Sequence, residues 1–378
     1  MITDHCSLKN MNIFKLATDS VQGIQPYQPG KPIEELEREY GIKNAIKLAS
    51  NENPLGPSPF VLEAMQASLK NIARYPDGNG FALKKALAKK HGVDMDMITL
   101  GNGSDNLLEL VARTFVTPAH SVIFSQYAFA VYPIVAQAIG ARAIVTPAKN
   151  WGHDLTAMQA AIRDDTRLIF VANPNNPTGT WVDKPHLKAF LDAVPEHVLI
   201  VMDEAYFEYA SENPDYPNSL EWTTDYPNLI VTRTFSKAYG LAGLRVGYSI
   251  SHPDVANLLN RVRSPFNVNH LAIVAATAAL DDSEYLKKSV ALNRAGMQQL
   301  TQAFNKMKLE FIPSLGNFVS VNVGDGANVY EWLLRQGVIT RPLGEGYGMP
   351  QHLRVSIGTA AENAAFIEAM GMRMQNEK

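Results

Sequence analysis

Lys237 lies in the run Thr234-Phe235-Ser236-Lys237-Ala238-Tyr239-Gly240-Leu241-Ala242-Gly243-Leu244-Arg245. Just before it, Leu229-Ile230-Val231-Thr232 reads as a short buried strand. The lysine therefore leaves a strand end and enters a glycine-containing turn. Desolvation at such a place lowers the pKa of an amine and frees it as a nucleophile. Ser236 offers a small hydroxyl donor and Arg245 a planar fork that stays charged, a pair suited to phosphate. A cofactor bearing both an aldehyde and a phosphate needs this combination, and pyridoxal phosphate is that cofactor. A surface lysine in a glycine-rich loop is the plainer reading of the Ser-Lys pair alone. The spacing to Arg245 and the motifs upstream weigh against it.

Three further segments place chemistry at strand ends. Val198-Leu199-Ile200-Val201-Met202 is an unbroken apolar run, as a central strand requires, and it ends in Asp203-Glu204-Ala205-Tyr206. Ligands of doubly wound sheets bind beyond the carboxyl ends of strands, so Asp203 stands where it could hold a protonated pyridine nitrogen. It could equally cap the next helix. Asn173-Pro174-Asn175-Asn176-Pro177-Thr178-Gly179 follows Leu168 to Ala172 and must be a rigid turn able to present an amide. Gly101-Asn102-Gly103-Ser104-Asp105 follows Met97 to Leu100 and opens a helix whose free N–H groups suit a phosphate. It is a poor dinucleotide fingerprint, because Asn106 replaces the third glycine and no acidic residue ends the next strand. That strand ends in Ser125-Gln126-Tyr127, where Tyr127 could stack on a cofactor ring or fill the core. Near the C-terminus, Arg354 sits on the polar side of the alternating strand Leu353 to Ile357 and could clamp a carboxylate or phosphate; a surface ion pair is the alternative. Arg341 is a second, weaker candidate.

These side chains need a scaffold, and the chain has material for one. Its 378 residues suggest about two domains. A hydrophobic content of 46% and a charged content of 19% fit a soluble globular protein, and a net charge of −3 gives no support to a nucleic-acid partner. The single cysteine, Cys6, excludes an internal disulfide framework and suits a reducing compartment. The first twenty residues have no signal-type apolar core, and apolar stretches such as Leu271 to Leu280 are about half the length that spans a bilayer. The expectation is a cytoplasmic protein without a membrane span. The nine histidines form no ligand-spaced pair, so no metal site is expected.

Residues 1–33 are irregular and proline-rich toward their end, as an extended arm would be. From 34 to 262, strand-like runs alternate with helical ones such as Leu83 to His91, Leu107 to Phe115 and Leu187 to Ala193. That alternation predicts an α/β domain whose mostly parallel sheet is flanked by helices. From 263 to 378, long helical patterns (Leu271 to Leu280, Ser283 to Met307) precede strands at Asn317 to Val323 and Leu353 to Ile357 and a last helix from Ala360. This predicts a smaller α+β domain.

Asn176-Pro177-Thr178-Gly179, Asp203-x-x-Tyr206 and Ser236-Lys237-x7-Arg245 together resemble a fold-type I, pyridoxal-phosphate-dependent aminotransferase. The narrower resemblance is to the histidinol-phosphate aminotransferase family. It rests on Pro26-Tyr27-Gln28-Pro29-Gly30-Lys31-Pro32, Ser50-Asn51-Glu52-Asn53-Pro54-Leu55-Gly56-Pro57, Arg74-Tyr75-Pro76-Asp77, Gly101-Asn102-Gly103-Ser104-Asp105 and Leu353-Arg354-Val355-Ser356-Ile357-Gly358-Thr359. The resemblance implies that Lys237 bonds the cofactor aldehyde and moves the substrate proton. It implies that Asp203 pairs with the ring nitrogen, that Asn176 and Tyr206 contact the ring oxygen, and that Tyr127 stacks on the ring. Ser104, Asp105, Ser236 and Arg245 would hold the phosphate, with Tyr75 reaching the neighbouring subunit's site in a homodimer. Tyr27, Asn53, Arg354 and Arg341 would face the substrate. Many members have Tyr-Gln-Ser-Ala-Arg where this chain has Tyr27-Gln28-Pro29-Gly30-Lys31, so an arm-borne arginine contact does not carry over. The implied reaction is ping-pong amino transfer between histidinol phosphate with 2-oxoglutarate and imidazole-acetol phosphate with glutamate. An aromatic amino-acid aminotransferase, a phosphothreonine decarboxylase and a non-enzymatic ligand-binding regulator are the alternatives. A regulator would be expected to lose Lys237 or add a DNA-binding domain, and this chain does neither.

Overall fold

The apolar runs of the middle of the chain form one seven-stranded sheet. In the computed structural model, which describes residues 12–376, its strands are β1 (Ile98–Gly101), β2 (Ser121–Ser125), β3 (Arg142–Thr146), β4 (Thr166–Ala172), β5 (Leu199–Asp203), β6 (Leu229–Thr234) and β7 (Gly247–Ser251). The spatial order is β1-β7-β6-β5-β4-β2-β3. β7 runs antiparallel to both its neighbours, and the other pairings are parallel. Parallel strands covered on both faces read as continuous apolar runs, and β4 and β5 show why. Ile169, Val171, Ile200 and Met202 enter the core on one side, while Leu168, Phe170, Leu199 and Val201 enter the core on the other. Each such fully buried side chain contributes about 1.5–3 kcal/mol.

Helices cover both faces. They include α1 (Phe81–His91), α2 (Ser104–Phe115), α3 (Val131–Ile139), α4 (Lys184–Ala193), α5 (Pro253–Val262) and α6 (His270–Asp281). Their ends are set locally. The Asp183 carboxylate accepts from the His186 N–H ahead of α4, which has proline in its first turn, and Asn269 accepts from Ala272 N–H ahead of α6.

A four-stranded antiparallel sheet forms the smaller layer. Its strands are β8 (Phe311–Ile312), β9 (Phe318–Asn322), β10 (Arg341–Pro342) and β11 (His352–Ser356), in the order β8-β9-β11-β10. It packs with α7 (Ser283–Met307), α8 (Gly326–Arg335) and α9 (Ala360–Asn376).

Packing draws the parts differently from the boundaries at 33 and 262. Helix α6 carries Ala272, Ile273, Ala275 and Ala276 into the core of the large sheet. The strand–helix alternation stops before α6, so the sequence places it with the second part. Conversely, the helix Ile33–Tyr40 buries Leu36 against Leu334 and Ile339, and Ile46–Lys47 pairs with Val338–Ile339. The smaller part thus takes in a segment from near the start of the chain. Cys6 lies outside the described residues. No helix among the described residues is long and apolar enough to cross a membrane. Among them, no three His, Cys, Asp or Glu side chains gather as metal ligands would.

Candidate active site

The carboxyl ends of β4, β5 and β6 open on one edge of the large sheet, beside the start of α2. There they enclose a cavity of about 430 Å³, whose walls include Ser104, Asp105, Asn176, Asp203, Tyr206, Ser236, Lys237 and Arg245. The fold brings together Asp105 and Arg245, 140 positions apart in the sequence.

Lys237 follows β6 with its Nζ donating to the carbonyl of Ser50 at 3.2 Å. Burial, reinforced by the Arg354 charge, holds its amine well below the usual lysine range, at about 8. Asp203 closes β5. Tyr132 Oη donates to its Oδ2 at 2.8 Å and Thr232 Oγ1 to its Oδ1 at 3.3 Å. Burial raises its carboxyl to about 6 against these two hydroxyls. Tyr206 is pushed up to about 12 by burial, so its hydroxyl keeps its proton. The Asn51 amide donates to that hydroxyl oxygen at 2.9 Å, which leaves the O–H free to donate elsewhere.

The turn after β4 shows why three asparagines stand together. Asn173 braces the turn, with its Nδ2 donating to Val182 O at 3.1 Å and its Oδ1 accepting from Val182 N–H at 2.9 Å. Asn175 does the same through Nδ2 to Thr178 Oγ1 and to Tyr127 O, each at 2.8 Å. Asn176 is left to face the cavity, where its Oδ1 accepts from Arg354 Nη1 at 2.6 Å. The Asn173–Pro174 and Asn176–Pro177 peptide bonds are cis.

Ser104, Asp105, Ser236 and Arg245 gather at one end of the cavity. Arg245 Nη2 donates to Asp105 Oδ1 at 2.8 Å, and its Nη1 lies 3.5 Å from Ser236 Oγ. Arg245 itself sits at φ +53, the left-handed region. The approach requires glycine at two places. Gly103 has φ +85, and a Cβ there would lie 2.3 Å from Asp105 Oδ1 and 2.7 Å from Arg245 Nη2. A Cβ on Gly247 would lie 2.6 Å from the Ser104 nitrogen.

Arg354 is buried on β11. Besides Asn176 it donates through Nη2 to Ala49 O at 2.7 Å, and its Nε has no hydrogen-bond partner among the described residues. Arg341 stands opposite Arg354 in the sheet register, with its guanidinium 5.7 Å from the ring centre of Tyr27, a cavity residue.

Arg354 and Arg341 are not in the cavity wall themselves but adjoin it through Asn176 and Tyr27, and three further expected residues also lie outside it. Asn53 does not line the cavity: its Nδ2 donates to Ala238 O and Ser289 Oγ at 3.0 and 2.9 Å, and its Oδ1 accepts from Leu55 N–H. Its amide is consumed in holding a turn against α7. Tyr127 rests its ring on Trp151, with centroids 5.3 Å apart, and Phe129 from the same turn lines the cavity instead. Tyr75 is 82% exposed and stacks on Phe266 at 4.5 Å, away from this chain's own cavity.

Two contributors escape sequence reasoning. Asn51, at φ +54, is tied to Ser356 as well as to Tyr206. Tyr132 reaches Asp203 from α3. Asn51 lies in the run Ser50-Asn51-Glu52-Asn53, where nothing local separates its amide from that of Asn53. Tyr132 carries no motif.

Residues 43–370 match the model of the aminotransferase class I and II family. A histidinol-phosphate aminotransferase of Nitrosococcus oceani is 59% identical over 358 residues, 94% of this chain and 96% of the relative. One from Pseudomonas aeruginosa is 56% identical over 359 residues, 94% of this chain and 97% of the relative. The crystal structure of the Sinorhizobium meliloti histidinol-phosphate aminotransferase in complex with pyridoxal-5'-phosphate superimposes with a TM-score of 0.87. It is 31% identical and covers 96% of this chain and 98% of its own. With these relatives and with a lysine, an aspartate and a phosphate-sized cradle meeting at one sheet edge, the chain belongs to the class I and II aminotransferases, in the histidinol-phosphate aminotransferase family.

Proposed function

We propose that the protein is a histidinol-phosphate aminotransferase of histidine biosynthesis. It interconverts histidinol phosphate and 2-oxoglutarate with imidazole-acetol phosphate and glutamate. The observation that carries the reading is a single cavity joining a depressed lysine to a guanidinium-and-hydroxyl cradle, in a chain 59% identical to such an enzyme.

Pyridoxal phosphate is the cofactor, and the residues present fit it. The Ser104, Ser236 and Arg245 end offers hydroxyls, a helix start and a fixed positive charge to a phosphate, with no side chain at Gly103 to block it. The opposite wall offers a carboxylate at Asp203 for a ring nitrogen and donors at Asn176 and Tyr206 for a ring oxygen. When bound, the cofactor supplies an aldehyde for the amino group and a ring that takes up the electrons released at the substrate carbon.

The chain's own work is binding and proton transfer. Lys237 Nζ, held near 8, can both take and return a proton at neutral pH. Tyr206 donates its hydroxyl hydrogen, since its oxygen already accepts from Asn51. Arg354 holds the anionic end of the substrate, with Tyr27 and Arg341 beside it, because a guanidinium matches carboxylate and phosphate alike. One arginine can thus serve glutamate and a phosphate monoester in turn.

The active form is a homodimer in which Tyr75 reaches the partner's phosphate site. Its high exposure supports this, as does that of Leu69 and Ile72 in the preceding turn. The enzyme works in the cytoplasm, in keeping with its single cysteine. A substrate panel monitored by cofactor absorbance in single turnover tests the reading.

A further inference from the structure

Tyr132 is fully buried on α3 and its ring lies flat on Phe170, with centroids 4.5 Å apart and planes 1° from parallel. That stacking fixes the axis of the phenol. Its hydroxyl points at one atom, Asp203 Oδ2, at 2.8 Å. Tyr132 is not among the residues lining the cavity, whereas Asp203 is. Whatever Tyr132 does for a molecule in the cavity, it does through Asp203.

We propose that Tyr132 is the positioning residue that keeps Asp203 an oriented carboxylate, ready to accept from the ring nitrogen of the cofactor. The inference rests on the reading above that Asp203 faces that nitrogen.

A carboxylate taken out of water must be compensated by donors or it takes up a proton. Among the described residues, two side-chain donors serve Asp203, Tyr132 on Oδ2 and Thr232, at the longer 3.3 Å, on Oδ1, together with the backbone N–H of Ala205. The Tyr132 bond is the shorter, and its donor is the one locked by an aromatic stack. Burial and the neighbouring Asp203 charge hold the Tyr132 phenol well above its ordinary range, so it donates and does not exchange roles with the carboxylate. With that bond gone, a proton on Asp203 becomes the cheaper way to satisfy Oδ2. A protonated carboxyl no longer holds a positive charge on the ring.

The test compares two ligands on the apoenzyme: pyridoxal phosphate and its 1-deaza analogue, which keeps the aldehyde and phosphate but has carbon in place of the ring nitrogen. Both react with Lys237 and both fill the cradle, so the ratio of their dissociation constants isolates the ring nitrogen. Wild type, Tyr132→Phe and Asp203→Asn are titrated in parallel. Tyr132→Phe is expected to weaken pyridoxal phosphate by roughly tenfold and to leave the analogue unchanged, with Asp203→Asn changing the ratio in the same direction and at least as far. Equal weakening of both ligands by Tyr132→Phe, or weakening of neither, overturns the inference. If Asp203→Asn shifts the ratio and Tyr132→Phe does not, the Tyr132 role alone falls. If Asp203→Asn itself leaves the ratio unchanged, the ring-nitrogen assignment falls and the Tyr132 role falls with it.

Discussion

Arg354 donates to Asn176 at 2.6 Å across the seam between the small sheet and the turn after β4. Arg354 itself is not in the cavity wall, so it reaches the cavity through Asn176, which is. The fork needs both nitrogens, because Nη2 is spent on Ala49 O at 2.7 Å. Arg354→Lys keeps a charge but has no planar fork to divide between these partners and an anion. Steady-state kinetics should show kcat/KM for glutamate and for histidinol phosphate both lower by about a hundredfold, roughly 2.7 kcal/mol, with pyridoxal phosphate still bound. Loss confined to one of the two substrates would mean that they use different arginines.

Lys237 gives a pH prediction with a definite sign. Burial first, and the Arg354 charge second, lower its folded-state pKa to about 8 from 10.5. Its free-amine fraction rises through that pH and is complete well below the ordinary lysine range. The rate at which apoenzyme captures pyridoxal phosphate should therefore rise with pH, with a midpoint near 8, and then level off. Arg354→Met removes a positive neighbour and should move the midpoint upward. Stopped-flow absorbance follows both, and a wild-type midpoint near 10.5 contradicts the assignment. Borohydride reduction of the holoenzyme should leave the cofactor on the peptide containing Lys237.

Below the site, Arg233 and Glu204 form an ion pair whose side chains are 2% and 0% exposed. Arg233 Nε and Nη2 both donate to Glu204 Oε2, and the guanidinium sits 3.3 Å over the ring of Phe207. Removing one partner leaves a buried charge uncompensated. Glu204→Gln should cost about 3–5 kcal/mol of stability in denaturant melts. The double variant Glu204→Leu with Arg233→Met should cost clearly less than the two single changes added together. Additive losses would show that the pair is not coupled.

How much of this was legible in the sequence follows from where each signal lies. Lys237, Ser236, Asp203 and Tyr206 follow the ends of apolar parallel strands within a few residues, which a parallel sheet puts on one edge, and Arg245 precedes the antiparallel β7, whose start lies at that same edge. The strands were therefore enough to gather them. Asn51 and Tyr132 act on residues 155 and 71 positions away, through packing that no local pattern encodes. Asn51 and Asn53 show the limit at its smallest. They are two residues apart and of one type, yet the positive φ at Asn51 sends one amide to Tyr206 while the other braces a turn. Which sheet α6 packs on was illegible for a different reason. An alanine-rich helix that is apolar on most sides does not say which sheet it covers.

Tyr75 tests the assembly. If it completes the partner's site, Tyr75→Ala and Lys237→Ala homodimers are each poorly active. Mixing and exchanging subunits should regenerate one intact site per heterodimer, giving activity up to about a quarter of wild type per total subunit for statistical exchange of equal amounts. Activity that stays at the sum of the parents after exchange, verified by native mass spectrometry, would place the whole site within one chain.

Relative kcat/KM reads out which substrate the cavity selects. With pyridoxal phosphate saturating and 2-oxoglutarate as acceptor, histidinol phosphate should exceed phenylalanine and tyrosine by about tenfold or more, at least roughly 1.4 kcal/mol of transition-state binding. Tyr27→Phe should narrow that gap by weakening the phosphate substrate selectively. Equal or higher kcat/KM for phenylalanine or tyrosine in the wild type would make the protein an aromatic amino-acid aminotransferase instead.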